Sequence, residues 1–401
     1  MKRATPWVML LALCSGFLLS NAYRTVATLV APALQAELAL SPQQLGLFAG
    51  IFHFAFGLLQ MVMGIGIDLY GVRRTILWAF PWAIAGSVLT AAAPNFAGLL
   101  IGQAMIGIGC APAFLVCTVL IAKRFAPEQF AAVSGIALGV GGLGMLLTGT
   151  PLAWVIEMSS WRMGFAVLAV LSALAWGVMW WWVQDEQTHK TQAGLPAVHK
   201  AWTEFVTLCR LPQTLGIVLL GCVTYASFIT LRGLWLGPLM IERFGLSLVQ
   251  AGHVALMMSV VALFGPAVFG RLDPKEPQRR PWIVRMTWLM ALIFAVLAYS
   301  HVFMLTAALA VAMSFLGGYM VLQYADVRQS YQPEQTGRAM AVFTMAMFLG
   351  IALMQWCTGV VAAWAKSLGA DTYTAVLIAV SLCLLLGSTA YQALPRARMQ
   401  A

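Results

Sequence analysis

The sequence predicts an all-α membrane protein with twelve transmembrane helices in two six-helix halves. Three observations predict this fold class: the composition, the number of long apolar stretches and an internal repeat. Apolar residues make up 61% of the 401 residues and charged residues only 9%, whereas soluble domains have roughly 25% charged residues. Water cannot solvate a surface so poor in charge, so we expect a lipid bilayer to cover most of it. The composition therefore excludes a secreted domain, a disordered regulator and most nucleic-acid-binding proteins.

A membrane-spanning helix needs about 20 mostly apolar residues. The predicted spans are 7–35, 44–65, 75–93, 97–122, 130–155, 161–183, 213–240, 248–270, 281–300, 303–326, 336–364 and 371–394. The first is too long for the apolar core of a signal peptide, so we expect the chain to retain it. The longest polar stretch follows the sixth span. It divides the chain into an N-terminal half (1–183), a cytoplasmic linker (184–212) and a C-terminal half (213–401).

The basic residues predict the orientation of these spans. With a cytoplasmic N-terminus, 18 of the 23 Lys and Arg fall in inside segments, three fall outside, and Arg24 and Arg232 lie within spans. An excess of Lys and Arg in cytoplasmic segments is the normal pattern of multi-pass membrane proteins. We therefore expect both termini in the cytoplasm of a bacterial-type cell and the protein in its cytoplasmic (inner) membrane. The net charge of +10 then needs no nucleic-acid partner.

The two halves align without a gap at an offset of 206 residues. The coincident pairs are Pro32 with Pro238, Leu40-Ser41 with Leu246-Ser247, Gly46 with Gly252, Gly64 with Gly270, and Arg73-Arg74 with Arg279-Arg280. Both halves begin on the same side of the membrane, so the repeat is parallel, with an axis along the membrane normal. Transporters built in this way bind their substrate near the midplane, between the repeats.

The motifs between the spans resemble those of the major facilitator superfamily. Gly64-Ile-Gly-Ile-Asp68-Leu-Tyr-Gly71-Val-Arg73-Arg74 resembles its G-x-x-x-D-x-x-G-x-R-R/K signature, and Gly270-Arg-Leu-Asp273 resembles the weaker second copy. The glycine-rich fifth span (135–151) and Trp161-Arg162-x-x-Phe165 are similar to the family's fifth and sixth helices. The resemblance covers the whole chain and implies the twelve-helix fold of a transporter.

The resemblance also implies a cytoplasmic gate. In the family pattern Asp68 bridges to a neighbouring helix and holds the cytoplasmic side closed, with Gly64, Gly71, Arg73 and Arg74 as the rest of the motif. The alternative is a plain turn in which the two arginines only mark the cytoplasmic side.

Two arginines inside spans are the principal candidates for binding substrate. Asn21-Ala-Tyr23-Arg24 resembles the N-x-x-D-R stretch of facilitators for organic anions, although Tyr23 stands where those proteins have the acidic residue. Arg232 lies at a similar depth in the seventh span. Two guanidinium groups facing each other across a central cavity would hold a carboxylate or phosphate by bidentate hydrogen bonds. The alternative is that each arginine reaches the outer interface or pairs with a backbone carbonyl.

The acidic residues favour the same substrate class. None of the 13 Asp and Glu is expected at the membrane midplane, where an exporter of cations would need one to attract its substrate. In the stretch that resembles the fourth helix, Gln103 stands in place of an arginine often tied to proton coupling. His53 is therefore the candidate for relaying protons, the alternative being a histidine satisfied by its own helix. Further candidates for contact with substrate are Tyr23, Tyr225, Trp235, Tyr319, Gln323 and Gln355.

The sequence thus predicts a monomeric secondary active transporter that moves a small organic anion by alternating access, with protons or by exchange. One alternative is a drug or metabolite exporter that works as a proton antiporter, favoured by the glycine-rich fifth span. The other is a membrane sensor that does not transport. We expect no enzyme activity, cofactor or metal, because no nucleophile–base pair, ligand spacing or nucleotide-binding loop is visible.

Overall fold

The computed structural model describes residues 5–126, 129–184, 208, 211–274 and 277–394, and within these ranges it contains helices and short turns but no strand. The helices are α1 (Pro6–Thr25), α2 (Ala27–Leu38), α3 (Pro42–Leu58), α4 (Gln60–Ala92), α5 (Phe96–Cys110), α6 (Ala113–Arg124), α7 (Phe130–Leu147), α8 (Thr150–Met158), α9 (Trp161–Trp182), α10 (Pro212–Thr230), α11 (Leu236–Phe244), α12 (Leu248–Ala262), α13 (Gly265–Arg271), α14 (Arg279–Tyr299), α15 (Phe303–Leu316), α16 (Met320–Gln329), α17 (Pro333–Ser367) and α18 (Thr372–Ala393). A π-helical turn (Leu231–Trp235) joins α10 to α11, and a 3-10 turn (Gly317–Tyr319) joins α15 to α16.

These helices account for all twelve predicted spans and confirm the fold class. Eleven helices in the described ranges are long and apolar enough to cross a bilayer. The remaining span is the second, which is interrupted at Leu59 and continues into α4. Gly71 separates it from the third span, because its φ of 81° and ψ of 170° are not helical. Only glycine adopts such a conformation readily, so the predicted loop between these spans is a corner at one residue.

Several spans consist of two helices in line, and proline lies at the start of the second one. Pro112 precedes α6, and Pro151 and Pro266 occupy the first turns of α8 and α13. Proline is tolerated in a first turn because the amide hydrogen that it lacks would have no helical partner there. Each break leaves carbonyl groups of the preceding helix without an intrahelical donor. Inside a bilayer other protein groups must satisfy those carbonyls.

The repeat is visible in how corresponding helices begin. Ser41 and Gln44 form a capping box at the start of α3, and Ser247 and Gln250 form the same box at the start of α12, 206 residues later. A capping box satisfies two amide groups that the first helical turn leaves unpaired. The predicted linker, residues 184–212, lies outside the described residues except at Gln184, Leu208 and its last two positions.

The two halves touch most closely at the end of the molecule that carries residues 39–41, 159–160 and 245–247. We call it the outer end, following the orientation that the basic residues predict. A Cβ added to Gly46 of α3 would collide with the backbone oxygen of Gln355 in α17. The amide of Gly237 in α11 donates to Thr28 Oγ1 in α2 over 2.8 Å, and a Cβ on Gly252 would lie 2.9 Å from α8. Three pairs of helices therefore close the outer end, and each pair consists of one helix from each half.

Ion pairs fasten the outer rim within each half. In the first half Trp161 Nε1 donates to Glu37 over 2.6 Å, and Arg162 pairs with the same carboxylate. These donors lower the pKa of Glu37. In the second half Arg243, which is 206 residues after Glu37, pairs with Asp371. The two halves thus use the same position with opposite charges.

Candidate functional site

Arg24 lies in the last turn of α1 with 6% of its surface exposed. Its Nη1 donates to Asn21 Oδ1 over 3.0 Å, and Asn21 is itself held by the carbonyl of Gly141 in α7. Nε and Nη2 donate to no group in the described ranges, and no described carboxylate pairs with this arginine. A guanidinium buried in this way keeps one edge free for an anion, because Nε and Nη2 point in the same direction.

Two phenylalanine rings lie beneath the central carbon of this guanidinium. The Arg24 carbon Cζ is 4.8 Å from the ring centre of Phe56 in α3 and 4.7 Å from that of Phe348 in α17. The two ring centres are 4.3 Å apart. Aromatic rings attract cations at these distances. Phe348 could not be identified from the sequence, because a phenylalanine in an apolar helix has no pattern that separates it from packing residues.

Three other predicted residues lie nearby: a Cβ on Gly233 would be 3.0 Å from the Arg24 carbonyl and 3.7 Å from Gln355 Nε2, and the rings of His53 and Tyr225 lie near Phe348. Both amide atoms of Gln355 and the Nε2 atom of His53 are buried without a hydrogen-bond partner among the described residues. The His53 ring is parallel to that of Phe348 at 6.5 Å, its Nδ1 is 3.1 Å from the Ala49 carbonyl, and Tyr225 meets Phe348 edge-on at 6.3 Å. Buried polar atoms are nearly always paired. A site for a polar anion requires such polar atoms without partners near a cation that has no carboxylate partner.

Arg232 lies at a different junction. Its Nε donates to the Ala255 carbonyl over 3.1 Å and to Ser259 Oγ over 3.2 Å, both in α12. Its Nη2 donates across the halves to the carbonyls of Met145 (3.0 Å) and Thr148 (3.3 Å), where the break between α7 and α8 leaves them without helical donors. Nη1 has no partner in the described ranges. This contact with backbone carbonyls is the alternative that the sequence left open for Arg232.

The two arginines occupy equivalent surroundings. Arg24 contacts the second span of its own half and the fifth span of the other half, at Phe56 and Phe348. Arg232 likewise contacts α12, in the second span of its own half, and α7, in the fifth span of the other half. Both groups therefore lie between the halves but meet different neighbours. At Arg24 those neighbours are rings, and at Arg232 they are carbonyls, so more of the donors of Arg24 are free.

Four further candidates are engaged inside one half. The bonds are Tyr23 with Ser172 (3.0 Å), Trp235 with Thr358 (3.0 Å), Tyr319 with Thr287 (2.9 Å), and Gln323 with Thr224 (3.0 Å). Each of these hydrogen bonds joins two spans of the same half. The Nε2 atom of Gln323 is buried without a hydrogen-bond partner in the described part of the chain.

The signature motif lies at the opposite, inner end. Asp68 is exposed and pairs with none of the described residues, and Arg74 is exposed as well. Arg73 donates to the carbonyl of Trp180 in the same half over 3.1 Å. A Cβ added to Gly64 would lie 3.8 Å from the side chain of Leu115, and Gly71 forms the corner between spans.

The second copy of the motif differs from the first. There Asp273 accepts two hydrogen bonds from Arg279, at 2.8 and 2.6 Å. The carboxylate of this copy is therefore paired within its own half.

Comparison with known proteins supports the fold and the family. The model of the Major Facilitator Superfamily matches residues 12–355. The hexuronate transporter of Bacillus subtilis is 24% identical over 253 residues, which is 62% of this chain and 59% of that protein. The hexuronate transporter of Escherichia coli K12 is 25% identical over 67% of this chain and 65% of that protein. The galacturonate transporter of Dickeya chrysanthemi is 24% identical over 65% of this chain and 79% of that protein.

Two solved structures have the same fold over almost the whole chain. A bacterial homolog of the human lysosomal transporter Spinster, in an inward-facing and occupied conformation, has a TM-score of 0.76 at 16% identity, over 96% of this chain and 95% of that chain. A D-xylose–proton symporter has a TM-score of 0.76 at 14% identity, over 98% of both chains.

Proposed function

Because the chain belongs to the Major Facilitator Superfamily, and is thus a multi-pass membrane transporter rather than an enzyme, we propose that it carries a small organic anion anchored by Arg24. The observation that carries this proposal is the free edge of the Arg24 guanidinium, buried between the halves without a carboxylate partner among the described residues. A carboxylate on Nε and Nη2 would accept two parallel charge-assisted hydrogen bonds. The positive charge of the guanidinium would repel a cation there.

The proposed substrate class is the sugar acids. Such a molecule combines one carboxylate with several hydroxyl groups, and the unpaired atoms of Gln355 and His53 supply donors and acceptors for hydroxyls beside the anchor. The names of three relatives, two hexuronate transporters and a galacturonate transporter, support this class. The matched segments span only 59% and 65% of the two hexuronate transporters. The proposal of a sugar acid as substrate is therefore based on the residues around Arg24 as well as on the names of these relatives.

Transport would follow alternating access in the cytoplasmic membrane, with both termini inside. The glycine contacts close the outer end, whereas Asp68 at the inner end holds no partner in the described ranges. This combination corresponds to a protein open to the cytoplasm. Asp68, Arg73 and Arg74, with the glycines of the motif, are then the gate that would close the inner end in the opposite state.

We propose further that His53 couples the anion to a proton. It is buried against Phe348, in the cluster that holds Arg24, and its Nε2 is available to a proton or a substrate hydroxyl. His53→Gln would then abolish uptake driven by a pH gradient while leaving exchange of anion for anion intact. Loss of both activities, or of neither, would exclude this coupling role.

The anchor is tested by uptake of radiolabelled D-galacturonate and D-glucuronate into proteoliposomes. Arg24→Gln should lower uptake by at least about 100-fold, because it removes two charge-assisted hydrogen bonds of roughly 1.5–3 kcal/mol each. Arg24→Lys should restore little, since an ammonium group cannot make the bidentate contact. Arg285→Gln is the matched control, because Arg285 is exposed on α14. Unchanged uptake by Arg24→Gln would refute the anchor.

Thermal stabilisation by a panel of compounds separates this function from its rival. The panel contains sugar acids, mono- and dicarboxylates, sugar phosphates and lipophilic cations. Stabilisation by the sugar acids, lost in Arg24→Gln, would support the proposal. Stabilisation by the cations alone would favour a drug or metabolite exporter.

A further inference from the structure

The support of the Arg24 guanidinium comes from both halves of the protein. Cζ and the two ring centres form a triangle with sides of 4.8, 4.7 and 4.3 Å, so the rings touch each other and the cation lies over both. Phe56 lies in α3 and Arg24 in α1, so both belong to the first half. Phe348 belongs to α17 of the second half. One ring of the support is thus contributed across the boundary that must open during transport.

The close approach of α3 and α17 makes this contact possible. A Cβ added to Gly57 would lie 2.9 Å from Cβ of Phe348, and one added to Gly50 would lie 2.9 Å from the Ala352 carbonyl. Glycine at these two positions of α3 therefore lets α17 come near enough for Phe348 to reach the guanidinium.

We infer that Phe348 is a positioning residue, through which the second half holds the anion anchor of the first half in its binding orientation. This inference rests on the proposed function of Arg24. Cζ lies over both rings, and Nη1 donates to Asn21. The remaining edge, Nε and Nη2, is then held in one direction before any anion arrives, which lowers the entropy that binding costs.

The position of Phe348 also links anion binding to the state of the outer end. When α3 and α17 separate, Phe348 leaves with the second half and Arg24 keeps only Phe56. The anchor is therefore fully supported only while the outer end is closed. An anion that needs a rigid guanidinium binds that state more tightly, and a ligand shifts a conformational equilibrium by its difference in affinity between the states.

Changing the electrostatics of the Phe348 ring without changing its shape tests this role. Phenylalanine with one, two and three ring fluorines is introduced at position 348, and the Kd for D-galacturonate is measured by titration. We expect Kd to rise with each fluorine, by about 2-fold or more over the series, because fluorine withdraws charge from the ring face and loosens the guanidinium before binding; the full worth of such a cation–π contact, about 30-fold, is the upper limit. A flat series would overturn the inference.

Phe348→Leu supplies the second measurement, with Phe343→Leu as its matched control. Phe343 lies on the same helix, is equally buried, and packs against Tyr324 at 5.1 Å rather than against Arg24. Phe348→Leu should raise KM for uptake by about 2- to 30-fold and leave kcat within about 2-fold. Equal changes in KM for both variants would show that Phe348 only fills space, and would overturn the inference.

Failure of the inference and failure of the proposed function give different results. A double-mutant cycle between Arg24→Gln and Phe348→Leu, read as Tm without any ligand, reports the contact between the two side chains alone. If the cycle shows coupling but Arg24→Gln transports normally, the support exists and the proposed anchor is wrong. If the cycle shows no coupling while Arg24→Gln abolishes uptake, the anchor stands and the role of Phe348 is refuted.

Discussion

Arg232→Gln should release the outer end of the protein. Two hydrogen bonds from Nη2 cross between the halves, to the carbonyls of Met145 and Thr148. A bond from a charged donor contributes about 1.5–3 kcal/mol, and a cation at a helix C-terminus contributes about 0.3–2 kcal/mol more. Part of this loss is offset, because the variant no longer has to bury a charged group. We expect a net shift of about 2–4 kcal/mol against the closed outer end, or roughly 30- to 1,000-fold in the ratio of states.

Distances between spin labels measure this shift directly. Gln43 and Ser367 are exposed at the outer end, on opposite halves, and cysteines are placed there in a cysteine-free background. Arg232→Gln should add a population with longer distances between the labels, whereas Arg232→Lys should add a smaller population of this kind. A distribution identical to that of the parent protein would refute the reasoning. If the affinity for galacturonate fell instead, Arg232 would be a second anchor rather than a bridge between the halves.

Three smaller predictions concern the outer end. Gly46→Val should hinder its closure and reduce uptake, because the new Cβ meets backbone, whereas Gly135→Val should have little effect because nothing lies within 4 Å of that position. Glu157→Ala should favour the open outer end by about 0.3–1 kcal/mol, seen as faster labelling of outer cysteines, because it removes a carboxylate from the start of α12. For Glu37 the folded pKa is lowered, so its stabilisation is present above the ordinary Glu pKa of about 4.3 and is lost as pH falls through the lowered value. The Tm advantage of the parent over Glu37→Gln should therefore shrink on acidification, and an advantage independent of pH would contradict this sign.

Most of the fold could be predicted because membrane spans follow from length and polarity alone. The twelve spans and the repeat at an offset of 206 residues agree with the helices and with the paired capping boxes. The breaks inside the spans were not predicted. A stretch such as 97–122 satisfies the length rule whether or not Pro112 divides it, and neighbouring helices decide whether a divided span is stable.

The candidate site could be predicted only in part. A charge inside a span stands out in the sequence, which is how Arg24 was identified, and the structure brings Gln355 and His53 into its neighbourhood. Their roles in transport stay predictions. Polar residues such as Tyr23 and Tyr319 cannot be sorted by sequence into those that face substrate and those that fasten helices, because both uses need the same hydroxyl group. The orientation of Arg232 depended on carbonyls that only a helix break exposes.

The bare contact of backbones at the outer end restricts how the halves can move. At Gly46 and Gly359 the two α-carbons face each other with no side chain between them, and Gly50, further along α3, faces the backbone of Ala352. A side chain added at Gly46 or Gly50 would be driven into the facing backbone. In the proposed transport cycle the halves would open here by separating these backbones. Each transport cycle has to break these contacts together and form them again in the same register.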